Sequence, residues 1–89
     1  MDYSKLSDIE IDTMVSKICS PEFHRNYCRN PADAWPIITA NKISIYAMSE
    51  KDGRGRWGAE AFYPNESYHF NDNPLRAAMI VFLMVQGVK

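Results

Sequence analysis

The chain has 89 residues, 46% of them hydrophobic and 12% aromatic, and a formal net charge of −1. That length supports one domain able to bury roughly two thirds of its unfolded surface without a metal or disulfide, and the aromatic content excludes a disordered chain. The near-zero charge excludes a global field that would recruit nucleic acid or anionic lipid.

Ser7-Asp8-Ile9-Glu10 is a capping box: the Ser7 hydroxyl can accept from the Glu10 N–H while the Glu10 carboxylate reaches back to the Ser7 N–H. Leu6 and Ile11 stand where a hydrophobic staple would close over it. From there Ile11, Met14, Val15, Ile18 and Cys19 predict one apolar helix face, opposed by Asp12, Thr13, Ser16 and Lys17. Pro21 ends this helix near Cys19 or Ser20, because the residue before a proline avoids the helical region.

Residues 22–30 read as a loop: Phe23 and Tyr27 have helical spacing, but Asn26, Asn30 and the flanking prolines break it. Cys19, His24 and Cys28 could offer three metal ligands, yet a closed zinc site wants four with tighter spacing. No metal and no cofactor is expected; Cys19 is read as closing the apolar helix face and Cys28 as a small buried thiol. Asn30-Pro31 opens a second helical segment, since proline suits the first helical position. Pro36 would clash with the Ala32 carbonyl in a straight helix, which predicts a kink or a fresh helical start at Trp35-Pro36, running to Asn41.

Residues 43–48, Ile-Ser-Ile-Tyr-Ala-Met, alternate as a strand. Residues 49–56 are polar and glycine-bearing, a hairpin turn with Asp52-Gly53 at its tip, and residues 57–62 return antiparallel. Residues 63–72 are mostly polar loop, with a short third strand at Tyr68-His69-Phe70. Asn73-Pro74 then opens a helix that Gly87 closes. Between them Leu75, Ala78, Met79 and Phe82 mark one stripe, and Ile80, Val81, Leu83, Met84 and Val85 fill most of the remaining circumference. A helix apolar nearly all round must be covered nearly all round.

These elements predict a single α+β domain over residues 1–89: an N-terminal helix, a kinked short helix, a β-hairpin and a buried C-terminal helix. The expected core brings together Phe82, Met79, Trp35, Ile18, Val15 and Ile45. A monomer is expected over a homodimer, provided the other elements can cover the Ile80, Leu83 and Met84 side. The apolar run 77–85 is far short of the about 20 residues that a membrane span needs. The amino end, Met1-Asp2-Tyr3-Ser4-Lys5, lacks an apolar signal core, so a cytosolic protein with both cysteines reduced is expected.

Two strings together, Asn30-Pro31-Ala32-Asp33-Ala34-Trp35-Pro36-Ile37-Ile38 followed by Ile43-Ser44-Ile45, and Asn73-Pro74-Leu75-Arg76-Ala77-Ala78-Met79-Ile80-Val81-Phe82-Leu83, resemble the NinX-like family of small phage and prophage proteins. The opening Met1-Asp2-Tyr3-Ser4-Lys5-Leu6-Ser7-Asp8 fits the same resemblance. It implies a phage or prophage origin and a bacterial host cytoplasm, and it carries over no catalytic residue.

No enzyme is expected from the residues themselves. Cys28 with His24 lacks a third group to orient the histidine, Ser67 and His69 share a strand face without alignment, and Glu60 is a lone carboxylate on the solvated face of the hairpin. A protein-interaction module that binds a host or phage protein is the reading favoured by analogy with the family, with Tyr63, Tyr68 and Phe70 as candidate surface. The alternative is nucleic-acid binding by the hairpin loop 51–57, where Arg54 and Arg56 could grip phosphates and Trp57 stack a base. Against it, the basic footprint is small, offset by Glu50 and Asp52, and Trp57 is read as hairpin core.

Overall fold

The Ser7 Oγ accepts from the Glu10 N–H at 3.1 Å and the Glu10 carboxylate accepts from the Ser7 N–H at 3.0 Å, so the capping box forms and starts helix α1, Asp8–Cys19. The computed structural model describes residues 2–19, 25–49, 53–62 and 66–87; His24, Glu50, Lys51, Asp52 and Tyr63 lie outside them. Ahead of α1, a single 3-10 turn over Tyr3–Lys5 is capped by the Asp2 carboxylate.

The face that α1 buries is Ile11, Asp12, Val15 and Ser16. This corrects the expected face: Ile18 is 40% exposed and Cys19 is exposed. The cause is polar. The Asp12 carboxylate is buried because it accepts the Cys28 backbone N–H at 3.0 Å, and turning Asp12 and Ser16 inward rotates Ile18 out to solvent.

Helix α2, Pro31–Ala40, is opened by Asn30, whose side-chain oxygen accepts from the Ala32 N–H. It does not restart at Trp35-Pro36 but continues through Pro36. A proline at the sixth helical position removes a single backbone bond, the one that an N–H there would have made to the Ala32 carbonyl. Ala34, Ile37 and Ile38 face inward at i, i+3, i+4. Trp35 lies one residue, about 100°, off that stripe, and is 62% exposed rather than core.

Three strands follow: β1 Ser44–Ala47, β2 Trp57–Ala61 and β3 Ser67–Asn71, in an antiparallel meander ordered β1-β2-β3. The third strand pairs along the whole of β2, so the expected hairpin becomes a three-stranded sheet with the small residues Gly58 and Ala59 at its centre. Ala59 and Ala61 are fully buried, which sets the inner face: Ile45, Ala59, Ala61, Ser67 and His69 by register. Ile45 packs on the core only in part.

Helix α3, Pro74–Val85, lies across that inner face, and α1 and α2 pack on its other sides. Asn73 accepts from the N–H groups of Leu75 and Arg76 through its side-chain oxygen and donates to the Cys28 carbonyl at 2.7 Å, so one residue both caps α3 and ties it to the turn before α2. Gly87 closes the helix at φ +68, the left-handed conformation that favours glycine. Of the side that needed cover, Ile80 and Leu83 are buried within the chain, and Met84 packs on the core in part. Arg76 reaches back to the amino end, donating to the Asp8 carboxylate at 2.7 Å and to the Leu6 carbonyl at 2.5 Å.

Candidate functional site

Since Ala59 and Ala61 point at α3, the side-chain alternation of a strand sends Gly58 and Glu60 to the opposite face of the sheet. Register then places Tyr46 and Phe70 beside Gly58, and Ser44 and Tyr68 beside Glu60. Helices α1, α2 and α3 all lie on the other side, so among the described residues no helix covers this outer face.

Gly58 is what makes the face flat. A Cβ built there would fall 2.4 Å from Cε2 of Tyr46, so the tyrosine ring lies over the glycine backbone and any larger residue would lift it. On the other side, Tyr68 and Phe70 stack tilted, their ring centroids 5.8 Å apart, and the Arg54 guanidinium sits 4.3 Å above the Phe70 ring. Tyr68 is 55% exposed, and Phe70 and Tyr46 are half-buried.

Three of the five residues expected to form an interaction surface are therefore brought together: Arg54, Tyr68 and Phe70. Tyr68 and Phe70 stand on the third strand expected at Tyr68-His69-Phe70, which runs over Ser67–Asn71, and register turns them away from α3. Arg56 is exposed at the neighbouring end of the sheet, with its backbone N–H donating to the Asp72 carboxylate at 3.1 Å. Trp57 is half-buried and outside the core cluster, lining a groove with Ala47, Met48 and Arg56. Sequence reasoning missed Tyr46 and Gly58, although a glycine inside a strand is itself a sign of close approach by another group.

Among the described residues, Cys28 and His69 both lie away from this face. Cys28 is fully buried, and burial together with the Asp12 carboxylate pushes its thiol far above the ordinary range, the reverse of what a nucleophile needs. His69 is on the inner face, where burial first and the Arg76 charge second lower its pKa; its Nε2 lies 3.5 Å from Nδ2 of Asn71. Among the described residues no three His, Cys, Asp or Glu side chains are grouped to hold a metal, and no helix is long and apolar enough to cross a membrane. A cleft of about 320 Å³ beside α2, lined by Tyr27, Asp33 and Ile37, is bordered by the Arg25–Asp33 ion pair.

The chain's residues 19–86 match the family described as bacteriophage P22, NinX. The chain belongs to that family. The matched stretch takes in both Asn-Pro strings, α2, the whole sheet and α3, whereas the opening string and nearly all of α1 lie outside it. The open face of the sheet is thus built wholly from residues of the NinX match. No curated protein and no solved structure matches the chain.

Proposed function

We propose that this NinX-family chain is a phage accessory protein that acts in the bacterial host by binding a protein partner on the open face of its sheet, as a binding module and not as an enzyme. The observation that supports this is the aromatic layer on a solvent-facing sheet: Tyr46 laid over Gly58, the Tyr68–Phe70 pair, and Arg54 stacked on Phe70. Tyrosine, phenylalanine and arginine are the residues enriched in protein interfaces and in their energetic centres. A sheet also holds them rigidly, which lowers the entropy lost on binding.

The charge on this face favours a protein over a nucleic acid. Glu60 stands in its middle, and Asp72 flanks Arg56, so a phosphate backbone laid across the sheet would meet carboxylates as well as guanidiniums. The test is affinity capture from infected or lysogenic cells with the wild-type chain and with a Tyr68→Ala/Phe70→Ala double variant that retains the folded spectrum. A protein retained by the first and lost by the second is the expected result. Binding to single-stranded DNA or RNA that falls steeply with salt, and further when Arg54 and Arg56 become alanine, would overturn it in favour of the hairpin-loop reading.

A further inference from the structure

Glu60 stands at the centre of the outer face, directly across from Tyr68 on one side and Ser44 on the other, with Tyr46 and Phe70 on the two diagonals. Direct cross-strand neighbours have Cβ atoms about 5 Å apart and diagonal ones about 7–8 Å, within reach of aromatic side chains. The carboxylate is half-buried, and among the described residues it makes no hydrogen bond and no ion pair. The Arg54 guanidinium is placed over the Phe70 ring. Burying a carboxylate in part without a partner costs free energy that a cation supplied from outside would offset. Aromatic ring faces add to the same preference, since their negative quadrupoles attract an ammonium or guanidinium within about 6 Å.

We propose that Glu60, ringed by Tyr46, Tyr68 and Phe70, is the docking point for a cationic side chain of the protein partner. The inference rests on the reading of this face as the binding surface and adds the chemistry of what lands there. A lysine or arginine would set its charge on the Glu60 carboxylate and its aliphatic stem on the rings.

The experiment is an NMR titration of the full chain with acetyl-Gly-Arg-Gly-amide, acetyl-Gly-Lys-Gly-amide and, as control, acetyl-Gly-Glu-Gly-amide, repeated on Glu60→Gln, an isosteric change at a half-buried strand position. Saturating shifts at the Ser44, Gly58, Glu60 and Tyr68 amides with the cationic peptides only, weakened about tenfold by Glu60→Gln, are the expected result. Shifts indifferent to Glu60→Gln, shifts elsewhere on the chain, or no shifts would overturn it. So would saturation by an oligothymidylate that Glu60→Gln leaves unchanged, which would instead assign the face to a nucleic acid. In the capture assay, partner loss with Tyr68→Ala/Phe70→Ala but retention with Glu60→Gln would reject the cation and keep the face. Retention with both would reject the face.

Discussion

Replacing Gly58 by alanine tests the construction of the outer face from the backbone up. The new methyl carbon would fall 2.4 Å from Cε2, 2.6 Å from Cζ and 2.9 Å from the hydroxyl of Tyr46, and all three atoms belong to the outer end of one side chain. The backbone therefore need not move, but the ring must lift by about 1 Å or more to restore ordinary contact. Freeing the covered face of the ring returns on the order of 40–60 Å² of apolar surface to water, about 1–1.5 kcal/mol. Against this, alanine in place of a strand glycine restricts the unfolded chain and stabilises by about 0.4–1 kcal/mol. Gly58→Ala should therefore destabilise the wild type by about 0.5 kcal/mol. In a Tyr46→Ala background, where nothing stands in the way, it should stabilise by about 0.4–1 kcal/mol. Urea unfolding of the four proteins, followed by tryptophan fluorescence, gives the coupling, expected to be about 1–1.5 kcal/mol. Equal effects of Gly58→Ala in both backgrounds would refute the placement of the ring over the glycine.

Phe82→Ala empties a side chain 3% exposed between the sheet and the other helices and should cost about 3–5 kcal/mol by chemical denaturation; a loss under about 1 kcal/mol would contradict the central position of α3. Arg76→Ala removes the tie from α3 to Asp8 and Leu6, and hydrogen bonds to charged groups of this kind set the loss at about 2–4 kcal/mol, with protection from amide exchange falling first at the amino end. His69 has a folded-state pKa below the ordinary 6.5 because burial disfavours its charge. The unfolded chain then binds the extra proton first, so stability should fall as pH drops from about 6.5 to the lowered folded value and level off below it. His69→Gln should flatten that part of the stability profile, which urea midpoints across the range would show.

Local signals were legible in the sequence. The capping box at Ser7 and Glu10 and the Asn-Pro openers at Asn30 and Asn73 each involve groups within three residues of one another, and all three form with the geometry their residue types dictate. The C-terminal helix was equally plain, since an apolar circumference leaves no choice but enclosure. The exposed Trp35 and Ile18 were not legible. Both flank the inward-facing stripe of their helix, and the phase of each helix is decided by a distant partner: by the Cys28 N–H that draws Asp12 inside, and by α3, on which α2 packs. The same holds for the candidate site. Tyr68 and Phe70 were visible as aromatics among polar residues, but their assembly with Tyr46, Gly58 and Arg54 depends on a three-strand register that spans residues 44 to 71.

The most direct test of the open sheet face as the working surface is photocrosslinking in phage-infected or lysogenic cells, with a crosslinking amino acid placed at Tyr68 on the outer strand face or at Thr39 on the exposed side of α2. A discrete protein adduct from position 68 and none from position 39 is predicted. Adducts from position 39 alone, or a nucleic-acid adduct from position 68, would contradict it.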